Sequence, residues 1–172
     1  LVQRVFTTPW LRIYTHADPV GAEVAGALKN VIALAAGMID GLGLGFNAKS
    51  ALLARGLAEM VRLGVALGAK TETFFGIAGV GDLATTCFSP EGRNRACGEA
   101  IGRGATLNEH LARTRSVVEG VETARSVADL ARDRGVDMPI TDAVCRILFD
   151  GLPPLDAIHE LMTREAKSER IG

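Results

Sequence analysis

Lys29 lies within the most apolar stretch of the sequence, among Ala, Gly, Val, Leu and Ile. In a helix, successive residues lie about 100° apart, so one face would carry Lys29 and otherwise only short side chains. That face comprises Ala22, Ala25, Gly26, Ala33, Ala36 and Asp40. A ligand could therefore reach the amine, and exclusion of water would favour its neutral form, which suits a general base. Alternatively, the short side chains let another helix pack closely while Lys29 extends to solvent.

Other polar residues could assist this lysine. Asn30 points about 100° away from it, so the two side chains could contact neighbouring features of one ligand. In Gly79-Val80-Gly81-Asp82, the glycines would let the backbone approach a ligand, and Asp82 could bind a substrate hydroxyl or orient Lys29. By itself, this pattern is more often an ordinary turn or a helix cap.

A second group of residues suits an anion. Gly92-Arg93-Asn94-Arg95 follows Ser89-Pro90-Glu91 and opens a predicted helix. Free amides at a helix N-terminus and a planar guanidinium are what a phosphate requires, although a solvated basic turn has the same composition. Thr85 and Thr86 could donate to the same anion or cap the loop. Glu119 could bind ribose hydroxyls or favour the N-terminus of the helix that follows it.

The elements that position these residues are predicted to be helices. Only 5% of the residues are aromatic, whereas 48% are hydrophobic, so small aliphatic side chains must form the core, which favours an all-α domain. We expect six to eight helices around one core, after an edge or linker segment, 1–17, with little regular structure. The first two predicted helices are 20–39 and 48–67; Asn47 caps the second, and Arg55, Glu59 and Arg62 lie on its other side, away from the apolar stripe. A short helix capped by Thr71 and a helix that opens at 92–95 follow. The last four are 107–113 with a capping box at Thr106, a helix from Val121 that Gly135 ends, 139–149, and a helix from Pro153-Pro154 to about Lys167. Residues 79–82 are predicted to form a loop.

Charge and cysteine content exclude several functions. The formal net charge is -1, from 19 basic and 20 acidic residues, so we expect neither nucleic acid nor an anionic membrane as a partner. The longest apolar run, 31–39, is far shorter than the ~20 residues that span a bilayer.

Cys87, Cys97 and Cys145 are far apart, which predicts no disulfide framework and no metal site, and fits a reducing cytoplasm. Because the chain opens at Leu1 within an apolar pattern, we expect a preceding segment.

Five motifs in one order resemble a known family. They are Gly26-Ala27-Leu28-Lys29-Asn30-Val31, Gly79-Val80-Gly81-Asp82-Leu83, Gly92-Arg93-Asn94-Arg95, Val117-Val118-Glu119-Gly120 and Met138-Pro139-Ile140-Thr141. From about Asp18 to Arg170 the chain is similar to the C-terminal domain of the NAD(P)-dependent glycerol-3-phosphate dehydrogenases. The resemblance implies that residues 18–172 form a helical substrate-binding domain of the 6-phosphogluconate dehydrogenase C-terminal type.

The resemblance also implies roles for individual residues. Lys29 matches the proton acceptor for the C2 hydroxyl of sn-glycerol 3-phosphate, as C2 passes a hydride to NAD or NADP and dihydroxyacetone phosphate forms. The implied substrate-binding residues are Lys29, Asn30, Asp82, Thr86, Gly92, Arg93 and Asn94, and the implied cofactor-binding residues are Arg93, Val117 and Glu119. No metal is implied. The family's role would be to supply glycerol 3-phosphate for phospholipid synthesis in the cytoplasm.

The expected partners are a phosphorylated small molecule and the protein's own N-terminal Rossmann domain, with the active site between the two domains; a homodimer is common in the family. The chain has no G-x-G-x-x-G motif after a strand, so we expect it to be inactive or nearly so by itself.

Two alternatives remain open. One is a related two-domain dehydrogenase for another hydroxy acid or phosphosugar, which substrate competition would distinguish. The other is a helical interaction module whose small-residue face packs against a partner helix, in which Lys29→Ala would leave catalysis unchanged.

Overall fold

The computed structural model describes residues 1–114 and 116–165, and these contain helices and no β-strand. The all-α prediction is therefore confirmed. The α-helices are α1 (Val2–Phe6), α2 (Pro19–Gly41), α3 (Gly45–Ala66), α4 (Asp82–Phe88), α5 (Arg93–Gly102), α6 (Leu107–Arg113), α7 (Glu119–Arg134), α8 (Pro139–Phe149) and α9 (Pro154–Met162). A 3-10 turn, Thr71–Phe75, and a π-helical turn, Ile77–Gly81, connect α3 to α4.

Helix α2 is the centre of the fold, and α3, α4, α5, α7 and α8 pack around it. It begins at Asp18, whose carboxylate caps the helix by accepting the Gly21 amide at 3.0 Å, with Pro19 in the first position. Helix α5 packs on α2 with the two backbones in contact. A Cβ added to Gly37 would lie 2.0 Å from the Arg95 carbonyl, and one on Gly98 would lie 1.9 Å from the Leu34 carbonyl. Glycine is needed here because any side chain would push the helices apart.

The apolar core lies on both sides of α2, as two clusters with Ala35 packed against each. One cluster includes Ile32 and Phe74, and the other includes Leu34 and Val144. By length and composition alone, α2 could cross a membrane. The sequence did not predict this, because its uninterrupted apolar run, 31–39, is much shorter than α2. Most of the apolar segment of α2 is buried inside the fold, however, and this core position accounts for its composition.

Several predicted boundaries are confirmed because their signals are local. Thr106 and Glu109 form the capping box of α6, and Gly135, at φ 64°, ends α7. Others are wrong. Gly45 takes a φ of 80° and opens α3 at once, so Asn47 lies inside the first turn and caps nothing. Thr71 is the first residue of its 3-10 turn, after Lys70 at the cap position.

The described residues contain nine α-helices, rather than six to eight helices, because α1 and α4 were not anticipated; the short helix predicted at Thr71 is a 3-10 turn. Helix α1 is short and fully exposed, and it lies in the segment where little regular structure was predicted. Helix α9 ends at Met162. The predicted helix end near Lys167, and the end of the resemblance at Arg170, lie outside the described residues.

A buried carboxylate joins α3 to α8. Glu59 is 1% exposed and accepts hydrogen bonds from the Ile140 amide (2.5 Å), the Thr141 amide (3.2 Å) and the Thr141 hydroxyl (3.1 Å). It thereby caps α8, whose own N-cap residue, Met138, offers no acceptor. Burial raises the pKa of Glu59 to about 7, and the three hydrogen bonds offset only part of this rise. The sequence placed Glu59 on the side of α3 opposite its apolar stripe, but in the structure that side is buried against the start of α8 at Glu59.

Candidate active site

Lys29, near the middle of α2, reaches the first residue of α4. Its ammonium forms an ion pair with the carboxylate of Asp82, between Nζ and Oδ2. Asp82 therefore lies where it can orient Lys29, which is one of the two roles that the sequence left open for it. The two side chains are 23% and 39% exposed, so the pair is open to solvent and to a ligand. One turn earlier, an added Cβ on Gly26 would meet nothing within 4 Å, so the surface beside the pair is unobstructed.

The small-residue face of α2 is partly packed against other helices and partly accessible. Ala33 and Ala36 are fully buried, and close helix packing explains their size. Closer to the middle of the helix, Gly26 and Lys29 are only partly buried, although Ala25 beside them is fully buried. The accessible part of the face is therefore the part that carries the amine.

The stretch 79–82 is helical, and the prediction of a loop was wrong. The π-helical turn runs directly into α4, which places Asp82 in a first helical turn. A Cβ on Gly79 would lie 2.1 Å from the Phe74 carbonyl, so this glycine is required by packing against the protein's own main chain. At the end of the turn, the Thr86 hydroxyl donates to the Asp82 carbonyl at 2.7 Å, and Thr85 donates to the Gly81 carbonyl at 3.1 Å.

Asn94 links three helices behind the open surface. Its amide nitrogen donates to Asn30 Oδ1 at 3.0 Å, and its Oδ1 accepts the Gly120 amide at 2.8 Å. Asn30 also donates to the Gly26 carbonyl at 3.2 Å. Because Asn94 is only 5% exposed, its side chain holds the starts of α5 and α7 against α2.

The N-terminus of α5 presents free donors. Gly92 is its N-cap and supplies no side-chain acceptor, and among the described residues no acceptor bonds the amides of residues 93–95. These amides and the helix dipole favour an anion. A Cβ on Gly92 would lie 3.3 Å from the Thr86 carbonyl, so this terminus lies directly beside the end of α4.

Arg93 is also tied to the start of α7. Its guanidinium forms an ion pair with Glu119, the first residue of α7, between Nη2 and Oε1. Arg93 is 54% exposed and Glu119 40%, so both remain available to a ligand. Val117, two residues earlier, is exposed and contacts none of the other predicted site residues through a hydrogen bond or ion pair. The predicted residues thus lie in the middle of α2, along α4, and at the N-termini of α5 and α7.

Sequence reasoning missed a network that supports this arrangement. Asp40, at the end of α2, pairs with Lys49 of α3 at 2.5 Å and with Arg95 of α5 at 2.7 Å. Burial raises the pKa of Asp40, but the hydrogen bonds from Lys49 and Arg95 outweigh that effect and lower the pKa overall. Lys49 itself is buried. The signal available beforehand was the charge of Asp40 on the same α2 face as Lys29.

The described residues contain no group of three or more His, Cys, Asp or Glu side chains that could hold a metal ion. Cys87 and Cys97 are buried thiols, and burial raises their pKa values to about 12 and about 11. Such thiols remain protonated and unreactive near neutral pH.

The chain is similar to known proteins along most of its length. Residues 18–159 match the family model described as NAD-dependent glycerol-3-phosphate dehydrogenase C-terminus. The chain is 55% identical, over 98% of its length, to glycerol-3-phosphate dehydrogenase (NAD(P)+) of Geobacter sulfurreducens, and 52% identical, over 99%, to that of Thermobifida fusca. It covers 50% and 51% of those proteins, so the chain spans about half the length of the curated relatives it matches.

Solved structures give the same result. The crystal structure of glycerol-3-phosphate dehydrogenase from Coxiella burnetii superposes with a TM-score of 0.90 and 40% identity, over 95% of this chain and 50% of that one. The enzyme from Saccharomyces cerevisiae superposes with a TM-score of 0.85 and 31% identity, over 95% and 48%.

Proposed function

The chain belongs to the family of the C-terminal domain of NAD-dependent glycerol-3-phosphate dehydrogenase, and on that basis we propose that it is the substrate-binding half of an enzyme that interconverts sn-glycerol 3-phosphate and dihydroxyacetone phosphate. The observation that carries the proposal is the Lys29–Asp82 ion pair in an open surface near the free amides of α5. A proton donor close to an anion site is what a phosphorylated ketone requires.

Lys29 moves the proton in this reaction. During reduction of the ketone, the Lys29 ammonium donates a proton to the C2 oxygen, which becomes the hydroxyl. In the opposite direction, the neutral amine accepts the proton of that hydroxyl. Asp82 holds the amine in place through the hydrogen bond between the two side chains. The amine is therefore already oriented before the reaction, and less conformational entropy is lost on reaching the transition state. A bound nicotinamide dinucleotide supplies or accepts the hydride at C2.

The start of α5 holds the phosphate. Its free amides point toward the N-terminal end of the helix, and the Arg93 guanidinium can form two parallel hydrogen bonds to phosphate oxygens. Thr86 and Gly92 lie side by side there, and Asn30 lies beside Lys29 on α2. Asn94 contributes through its backbone amide, because its side chain is committed to Asn30 and Gly120.

The residues at the start of α7 fit part of a nicotinamide dinucleotide. Glu119 is an exposed carboxylate that can accept hydrogen bonds from hydroxyl groups, Arg93 is an exposed cation, and Val117 offers an exposed apolar side chain. This surface is open and small, so the remainder of an NAD or NADP site belongs to a second domain. That domain, of Rossmann type, is the proposed partner of this chain.

The cellular setting follows from the same proposal. We place the enzyme in the cytoplasm, where it supplies glycerol 3-phosphate for phospholipid synthesis. A homodimer is the proposed assembly.

The test is oxidation of NADH and NADPH by dihydroxyacetone phosphate with the full-length protein that contains this chain. Dihydroxyacetone, which lacks the phosphate, is the matched control substrate. We expect turnover with the phosphorylated ketone, far weaker turnover with the control, and none with the 172-residue chain alone. Equal rates with the two ketones would refute the phosphate site, and activity only with another phosphorylated or carboxylated ketone would favour a related dehydrogenase.

A further inference from the structure

We propose that Arg95 is a positioning residue for the phosphate: it fixes the loop before α5 and thereby sets the geometry of the donors at the α5 N-terminus. The inference rests on the proposed function, because it states that a residue behind the proposed substrate-binding surface affects how tightly that surface binds phosphate. Arg95 itself touches no substrate in this account.

The guanidinium of Arg95 contacts the loop that leads into α5. Its Nε donates to the Ser89 carbonyl at 2.8 Å, and Nη2 lies 3.4 Å from the Pro90 carbonyl. A single side chain therefore binds two consecutive main-chain oxygens. The planar fork of arginine suits this task, since its donors point in fixed, different directions.

The same guanidinium is anchored on its other side. Nη1 lies 2.7 Å from Asp40 at the end of α2 and 3.1 Å from Glu99, one turn further along α5. Asp40 is held in turn by buried Lys49 of α3. Arg95 thus connects the surface loop to carboxylates fixed on packed helices.

The loop has few other contacts that would define its shape. Its remaining described hydrogen bonds are local. Within the loop, the Gly92 amide donates to the Ser89 carbonyl (3.2 Å) and the Glu91 amide to the Ser89 hydroxyl (3.3 Å); at its two ends, the Ser89 amide donates to the Thr85 carbonyl (2.9 Å) and the Ala96 amide to the Gly92 carbonyl (2.8 Å). The body of α5, by contrast, is fixed through its backbone contact with Gly37 of α2. The loop ends at Gly92, immediately before the first free amides. Movement of the loop would therefore displace Gly92 and the Arg93 side chain while the rest of α5 stays in place.

A purely structural role for Arg95 predicts a different outcome from a positioning role. Loss of a structural contact lowers the melting temperature and leaves the kinetics of the folded enzyme unchanged. Loss of positioning weakens binding of every phosphate-bearing ligand and leaves the proton transfer at Lys29 intact, so KM rises while kcat changes little.

The experiment compares Arg95→Lys with wild type in the full-length protein. A lysine keeps the charge near Asp40, but its single nitrogen cannot also hold both loop carbonyls. We expect KM for dihydroxyacetone phosphate, and the inhibition constant of inorganic phosphate, each to rise about tenfold, with kcat within about twofold of wild type. Asp40→Asn, which weakens the anchor of the same guanidinium, should raise both constants several-fold.

Arg103→Lys is the matched control. Arg103 lies at the C-terminal end of the same helix and pairs with the same Glu99, but its side chain is 68% exposed, against 14% for Arg95. It should leave both constants unchanged.

Each outcome is decisive. If Arg95→Lys and Asp40→Asn, confirmed as folded by circular dichroism, both leave KM and the phosphate constant within twofold of wild type, the inference is overturned. A fall in kcat with unchanged KM would overturn it as well. If Arg95→Lys does not fold, Asp40→Asn decides alone. If wild type does not turn over, the proposed function fails, and the dissociation constant of inorganic phosphate from the same variants still tests the role of Arg95.

Discussion

Replacing Glu59 with glutamine removes a buried ionisable group and keeps the size of the side chain. Glu59 is enclosed between α3 and the start of α8, where it accepts three hydrogen bonds. Burial raises its pKa from 4.5 to about 7, so between these values the folded state binds a proton that the unfolded state has released. The stability from this group is therefore fully present below about pH 4.5 and is lost as the pH rises through 7.

The size of the effect follows from the two pKa values. Between pH 5 and pH 8, the linkage relation gives a loss of about 2 to 3 kcal/mol in the free energy of unfolding from Glu59 alone. In Glu59→Gln this group does not titrate, so that loss disappears. Whatever the offset between the two proteins at pH 5, the variant should gain about 2 to 3 kcal/mol relative to wild type on going to pH 8.

The assay is urea unfolding of the 172-residue chain, followed by circular dichroism at half-unit steps from pH 5 to 8. Glu23→Gln, at an exposed position on α2, is the control and should follow the wild-type profile. A constant difference between wild type and Glu59→Gln, or one that favours wild type at high pH, would refute the reasoning. It would show that the α8 amides hold Glu59 in its charged form despite burial.

Three further predictions concern the site and its support. In the full-length protein, Arg93→Ala should raise KM for dihydroxyacetone phosphate about 30-fold, equivalent to about 2 kcal/mol, in steady-state assays; an unchanged KM would remove Arg93 from the phosphate site. Gly98→Ala should lower the free energy of unfolding by about 3 kcal/mol in urea unfolding, because the added Cβ would lie 1.9 Å from the Leu34 carbonyl. Gly26→Ala is the control: nothing lies within 4 Å of its added Cβ, so this variant should be neutral or slightly stabilising. Hydrogen bonds from Thr73, Gly21 and Lys70 lower the pKa of Asp18 to about 2, so wild type should lose stability as the pH falls from 3.8 toward 2, and Asp18→Asn should lose less over that range in acid titrations.

Local signals account for most of the helices that the sequence predicted correctly. A capping box, a glycine after the last apolar position and a proline in the first turn each act within a few residues of the chain. Thr106, Gly135 and Pro139 therefore indicated the boundaries of α6, α7 and α8 correctly. The contact of Lys29 with Asp82 was one of two possibilities that the sequence left open, since Asp82 could bind a substrate hydroxyl or orient Lys29, and the structure brings the two side chains together.

Tertiary contacts decided what the sequence could not. Gly79 resembled part of a ligand-binding loop, but it is glycine because the Phe74 main chain passes against it. Glu59 and Lys49 lie at helical positions where a charged residue usually faces solvent, yet each is buried against a partner on another element. The amide that Glu59 caps most closely is 81 residues further along the chain. No periodicity within α3 carries information about that contact.

Asn94 shows the same limit within the candidate site. Its residue type and its place at a helix start predicted a substrate contact, and the chemistry of an amide side chain is consistent with one. The substrate contact stays a prediction, whereas the structure shows that both ends of that amide join α5 to Asn30 and to the start of α7. An asparagine that binds a ligand and one that braces two helices look the same in a sequence.

The central claim is that Lys29 transfers the proton in the reduction of dihydroxyacetone phosphate, and the most direct test is the rate of Lys29→Met in the full-length protein. Lys70→Met, at an exposed position, is the control. We predict that Lys29→Met stays folded and loses about 100-fold to 10,000-fold in kcat, the usual contribution of a general acid, while the control retains the wild-type rate. A folded Lys29→Met enzyme with a kcat within a few-fold of wild type would contradict the account.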